Sequence, residues 1–355
     1  MKITIEKSIL ENILLSSQPF LEKKDTSQIT SHVYIKVENS TLTLKATDYE
    51  IGLHVKIEQI HATEDGEVTA NGKKLLDIIR ILKDKEVTLE TKNEILYITQ
   101  ANSKFKLPTF LSNEFPIFPN YEGKPSISIE SHTLVGSLKK ITPAIDSNNP
   151  KFELNGALLD IKNNSISFVS TDTRRLALVN IENSTENELS LIIPKKAIIE
   201  IQKLFFDNIE IYYDNTYLIV HSNQYTFFTK LINGKFPDYS RIIPKEIAKT
   251  IVLPKSNIID SIKQITTISN DMKITLLKGT IIFESLSNDN IEAKTEITHE
   301  TGFEEPFVLA VNSRYILDFL AQIDSQEFTL GLNSSNLPFV LTDNNFKTIV
   351  MPIVI

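Results

Sequence analysis

The chain has 355 residues, no cysteine, 37 basic and 45 acidic residues, and a formal net charge of −8. Its length predicts two or three domains, each large enough to bury its own core. The lack of cysteine excludes a disulfide scaffold, Cys-ligated zinc, an iron–sulfur cluster and thiol catalysis, and the acidic balance argues against a simple basic wrap around nucleic acid.

From Met1 to Lys7 no basic stretch leads into an apolar one, so no signal peptide is expected. No apolar run approaches the 18 or so residues of a membrane helix, and the chain reads as cytoplasmic. Ile9, Leu10, Ile13 and Leu14 have helical spacing, and Thr41-Leu-Thr-Leu-Lys alternates as a strand. A second helix opens at Lys73-Lys74. A hairpin follows, Val87-Thr-Leu-Glu with Ile95-Leu-Tyr-Ile, and then a turn-rich linker with Pro116, Pro119, Gly123 and Pro125.

The same order then returns twice. Leu134, Leu138 and Ile141 predict a helix, Ser165-Ile-Ser-Phe-Val a strand, Lys195-Lys196 a second helix, and Ile209–Tyr213 with Tyr217–Val220 a hairpin. Past the prolines 237, 244 and 254 come Ile258, Ile259, Ile262 and Ile265, then Thr280-Ile-Ile-Phe-Glu, Ser313-Arg314-Tyr315, and Phe328 with Phe339. Landmarks keep their distance: Phe115-Pro116 and Phe236-Pro237 are 121 apart, Lys73 and Lys195 are 122 apart, and Thr47-Asp48 and Thr171-Asp172 are 124 apart. The chain is therefore expected to be three copies of an α+β unit, at 1–120, 126–243 and 244–355. A repeat this long suggests similar domains set in an arc or ring, not a solenoid.

Catalytic chemistry is not nominated. There is no Gly-rich phosphate loop, no two of the six histidines are four residues apart, and Asp48, Glu50 and Asp172 read as turn formers. No catalytic residue, metal or cofactor is expected. Charge is more informative. The six helix-like segments together carry a net +8, which leaves −16 on the rest. Helices lined up on one surface would attract phosphate without reading bases, while the acidic remainder would repel nucleic acid elsewhere.

The chain resembles the bacterial sliding clamps, the beta subunits of DNA polymerase III, over its whole length. The resemblance is strongest at Leu154-Asn155-Gly156, Ser170–Ala177, Gly234–Pro244, Asn312–Asp318 and Val350-Met351-Pro352. It implies three DNA-clamp domains per chain, sheets outside and helices lining a central hole, in a ring-shaped head-to-tail homodimer. Phe105, Leu107 and Ile268 stand at interface positions. Lys23, Lys24, Lys73, Lys74, Arg80, Lys139, Lys140, Lys195 and Lys196 would face encircled duplex DNA.

Implied partners are the polymerase III catalytic subunit, the clamp loader and repair proteins. Each would dock a peptide at Leu154, Thr171, Thr173, Arg174, Arg175, Leu176, Pro237, Arg241, Ile242, Ile349, Met351, Pro352 and Ile353. There the apolar residues would take an anchoring Leu or Phe, and arginine would hold a carbonyl or an acidic neighbour. Two departures stand out. Thr173-Arg174 replaces a common Gly-His, narrowing the rim and adding a cation, and Val354 stands where relatives often carry a basic residue. The residues alone leave open a repeat-built scaffold that does not encircle DNA, or an enzyme with an unrecognised carboxylate site.

Overall fold

The computed structural model describes residues 1–162, 164–182, 188–286 and 291–354. At the C-terminal end the description stops at Val354, and Ile355 lies outside it. Among those described are six α-helices, two per copy: α1 (Lys7–Ser17), α2 (Gly72–Ile81), α3 (Ser131–Ile141), α4 (Lys195–Leu204), α5 (Lys255–Thr266) and α6 (Ser313–Leu320). Side-chain caps start two of them. Asn71 accepts from the Lys74 amide and Asn312 from the Arg314 amide, each satisfying a donor with no partner inside the helix. In α2 the apolar stripe Leu75, Leu76 and Ile79 is buried, at roughly 1.5–3 kcal/mol per side chain. Lys73, Lys74 and Arg80 are exposed, as is Ile81, the apolar residue that breaks the basic face.

Each copy contributes two half-sheets. The early half holds the strands after the first helix. In copy one these are His32–Glu38, Thr41–Thr47, Ile51–Ile57 and Gly66–Asn71. In copy two they are Gly156–Lys162, Ser165–Thr171, Arg175–Glu182 and Leu189–Pro194, and in copy three Asp271–Leu277, Thr280–Ser285, Lys294–Thr298 and Phe307–Asn312. The late half holds the first strand of the copy, the closing hairpin and the last strand. The last strands are Ser103–Pro108, Tyr225–Lys230 and Phe346–Val350. All three hairpins anticipated from the alternation form, with Thr88 opposite Thr99, Ile211 opposite Val220 and Leu330 opposite Leu341.

Half-sheets join across copies. The early half of copy one continues into the late half of copy two, with Gly52 opposite Phe228. The early half of copy two continues into the late half of copy three, with Leu176 opposite Ile349. Each join makes an eight-stranded antiparallel sheet. The chain accordingly folds as two compact units, residues 1–135 with 196–231 and residues 136–195 with 232–355, and the middle copy is divided between them. The remaining half-sheets stay separate, with Ser103–Pro108 and Lys294–Thr298 as edge strands.

Candidate partner-docking site

The second unit gathers the anticipated docking residues around the join of copies two and three. The strand Arg175–Glu182 runs antiparallel to Phe346–Val350, and the ladder is extended by the Met351 amide, which donates to the Arg174 carbonyl at 2.9 Å. Leu154, Leu176 and Ile349 are each about 2% exposed or less and share a cluster with Leu158, Val169, Leu178 and Phe236. They form a floor. Met351, at 41% exposed, and Ile242, at 38%, stay open to solvent, with Pro237, Pro352 and Ile353 half-buried. The Ile353 amide donates to the Ala310 carbonyl at 2.8 Å, which fixes the path of the last residues, and Val354 is exposed.

Thr171–Arg175 is a tight turn. The Thr171 hydroxyl donates to the Arg175 carbonyl and accepts from the Thr173 amide, while Asp172 Oδ1 accepts from the amides of Arg174 and Arg175 at 3.0 Å. Copy one repeats this turn bond for bond. Thr47 bonds the Ile51 carbonyl and the Tyr49 amide, and Asp48 takes the amides of Glu50 and Ile51. The Asp48 and Asp172 carboxylates are thus engaged in turns, and the Glu50 carboxylate pairs with Lys230 at 3.0 Å. Thr173 has φ +75°, a left-handed conformation that is costly for a β-branched residue. Thr173→Gly is therefore expected to raise stability by roughly 1 kcal/mol in a urea melt, since the strain outweighs the entropy glycine adds to the unfolded chain. A lower midpoint would contradict this.

The three arginines differ. Arg174 is exposed, and Arg241 is exposed with its Nε 2.9 Å from Asp238. Arg175 is buried and engaged through each nitrogen: Nε to Asp172 at 3.0 Å, Nη1 to Asp318 at 2.7 Å, Nη2 to the Pro143 carbonyl at 2.5 Å, and the guanidinium over the Tyr315 ring at 4.6 Å. Three of its five N–H donors are thus used inside the fold, where they tie copy two to copy three.

Sequence reasoning missed the pair that sets the other wall. Tyr239 donates its hydroxyl to the buried Asp160 carboxylate at 2.9 Å and so anchors the short 3₁₀ turn Tyr239–Arg241. Burial alone would raise the Asp160 pKa, but hydrogen bonds from Lys162, Ser190 and Tyr239 hold it below the usual range. A lone carboxylate inside the apolar run Gly156-Ala-Leu-Leu-Asp-Ile was the available signal.

The cationic residues also separate. Lys23, Lys24, Lys73, Lys74 and Lys139 are exposed. Arg80 lies 3.8 Å from Glu11, Lys196 pairs with Asp48, and Lys140 sits over the Phe346 ring at 5.7 Å. Lys195 is half-buried and donates to the Ile145 carbonyl at 2.7 Å and Ser147 Oγ at 2.9 Å; burial lowers its pKa. It serves a loop and is poorly free to meet phosphate. Phe105 is half-buried and Leu107 buried on the edge strand Ser103–Pro108, and Ile268, 38% exposed, follows the end of α5.

Three descriptions of the DNA polymerase III beta subunit match in order: its N-terminal domain at residues 1–119, central domain at 128–238 and C-terminal domain at 240–354. The chain belongs to the beta sliding clamp family. It is 40% identical to the beta sliding clamp of Helicobacter pylori (strain ATCC 700392 / 26695) across 99% of this chain and 100% of that protein. The Pseudomonas putida clamp is 27% identical across 99% of each. Among solved structures, the H. pylori beta clamp bound to a DNA ligase peptide superposes with a TM-score of 0.96 at 41% identity, covering both chains fully. A Pseudomonas aeruginosa sliding clamp bound to griselimycin gives 0.94 at 25% identity, also with full coverage. The three copies are thus clamp domains, and by family identity the chain is a processivity factor and not an enzyme. No helix among the described residues is long and apolar enough to cross a membrane.

Proposed function

We propose that two copies of this chain close head to tail around duplex DNA, slide along it, and tether the replicative polymerase, the clamp loader and repair proteins through the Leu176/Ile349/Met351 groove. The observation that carries this reading is the bookkeeping of half-sheets. At both internal joins, the last strand of one copy pairs with the third early strand of another. Applied once more, the rule pairs the free edge Ser103–Pro108 with Lys294–Thr298 of a second copy. A joint between two different surfaces closes into a ring when its rotation permits, and it covers edges that would otherwise invite aggregation. Phe105 and Leu107 lie on the first of those edges, and Ile268 is the third proposed interface residue.

In this reading the domains are 1–120, 126–243 and 244–355, and the site of action is the cytoplasm. The exposed lysines 23, 24, 73, 74 and 139 supply most of the sequence-independent attraction to phosphate, with Arg80, Lys140 and Lys196 held partly by internal partners. Retention comes from topology, which suits a ring with no base-reading contacts.

The test is retention after loading. Protein loaded on closed circular DNA should remain through a high-salt wash and leave once the circle is linearised. Equal retention on both forms would reject encirclement. By light scattering the protein should have near twice its 40.2 kDa chain mass. Met351→Asp places a charge on the apolar groove and should weaken binding of the H. pylori DNA ligase peptide at least 100-fold while leaving that mass unchanged; full binding would move the docking site elsewhere.

A further inference from the structure

The two eight-stranded sheets are joined alike, so positions correspond. Leu176 opposite Ile349 at the second join matches Gly52 opposite Phe228 at the first, and Gly52 stands 124 residues before Leu176, the spacing of the two Thr-Asp turns. At the first join the floor is closed over. A Cβ on Gly52 would lie 2.2 Å from Phe228 Cε1, so the ring occupies the room the glycine leaves. Phe118 then stands edge-on against Phe228, ring centroids 4.9 Å apart, with the Lys45 amine 5.4 Å from the Phe118 centroid.

Phe118 follows Phe115-Pro116 as Tyr239 follows Phe236-Pro237. The same linker aromatic therefore has two fates. In the second unit the Tyr239 ring packs against the apolar cluster while its hydroxyl is tied to Asp160. In the first unit the matching strand position is Lys36, 124 residues earlier, whose amine pairs with Glu38, and Phe118 has no hydroxyl to donate. Nothing of that kind draws its ring from the join.

We infer that the first join is a second copy of the docking groove, already occupied by the chain's own Phe118, and that Asp160 keeps the other groove open by holding Tyr239 at its own end of the cluster, clear of Leu176 and Ile349. This rests on the docking groove proposed above. An aromatic ring on an apolar floor is the contact an incoming Leu or Phe anchor makes, and a tethered ring outcompetes a peptide because its effective concentration is high. Each chain then offers one open groove from two equivalent frames.

Calorimetric titration of the full chain with the H. pylori DNA ligase peptide tests this. The unmodified chain should bind one peptide and Met351→Asp none; no binding by the unmodified chain would instead remove the docking reading itself. The double variant Phe118→Ala with Met351→Asp should regain one site per chain, about tenfold or more weaker than the original. A folded double variant that binds nothing overturns the inference. A second arm stands if Phe118→Ala does not fold. Tyr239→Phe frees an aromatic ring to cover Leu176 and Ile349, whereas Tyr239→Ala removes the ring. Peptide affinity should therefore fall about tenfold more in Tyr239→Phe than in Tyr239→Ala. A merely structural tyrosine gives the reverse order, and the reverse order would overturn the proposal.

Discussion

Arg175→Ala is expected to destabilise the second unit by about 3 kcal/mol, the largest effect of any single polar substitution in the groove region. The guanidinium is buried and meets two carboxylates, Asp172 and Asp318, besides the Pro143 carbonyl and the Tyr315 ring. Its removal leaves Asp172 without its guanidinium and Asp318 with only the exposed Arg314, 3.7 Å away. Breaking a buried pair by deleting one partner costs roughly 3–5 kcal/mol. The low end applies here, because the Asp172 and Asp318 side chains are 20% and 26% exposed and water can reach them. At about 2–4 °C per kcal/mol, the thermal midpoint should drop roughly 6–12 °C. Adding Asp318→Asn should restore part of the loss, since one of the stranded charges is then gone. A shift below 2 °C, or no recovery in the double variant, would show that the cluster does not hold copy two to copy three.

That cluster marks where sequence reasoning stops. The three copies, their two helices each and their hairpins were legible, because helical and strand periodicities are local and recur at one spacing. The half-sheet joins were not. The pairing of Leu176 with Ile349 links residues far apart in the chain, and nothing local to either strand names its partner. Arg175 and Asp318 show the same limit: each reads as an ordinary surface charge, and only the fold brings them to 2.7 Å. Among the lysines, the total of +8 on six helical segments was readable, but Lys195 and Lys139 look alike in sequence. The difference is that the loop at Ile145 and Ser147 comes within reach of one of them. For the proposed docking groove, the resemblance brought the apolar floor and Met351. Tyr239 and Asp160 are paired only by the fold, because a hydroxyl-to-carboxylate contact across 79 residues leaves only a misplaced charge as its trace in the sequence.

Stability of the first unit should fall as pH is lowered from 6.5 toward 4, before most carboxylates titrate. His32 and His54 both lie there, and burial pushes each imidazole from the ordinary 6.5 down to about 4. Positive neighbours add to the shift: Lys74 for His32, and Lys45, His221 and Lys56 for His54. His54 Nε2 is buried without a hydrogen-bond partner, so a proton placed on it gains no acceptor. His32 has only a 3.4 Å contact to Thr69 and a ring contact to Phe110 at 4.4 Å. In this window the unfolded chain binds protons that the folded chain refuses, so protons favour unfolding. The stabilisation is complete above the unfolded value near 6.5 and is lost progressively down to the folded value near 4. His54 is half-buried and His32 buried beside a hydroxyl, and relaxation of water and neighbours around a protonated ring discounts the effect to roughly 1–2 kcal/mol apiece. The carboxylates of this unit held below their usual range, Asp25, Glu58, Glu90 and Asp214, act in a separate, more acidic window. Urea melts at half-unit steps between pH 7 and 4 should therefore show a slope that His32→Gln with His54→Gln removes, while the fall below pH 4 persists. An unchanged slope in the double variant would assign the acid sensitivity to other groups.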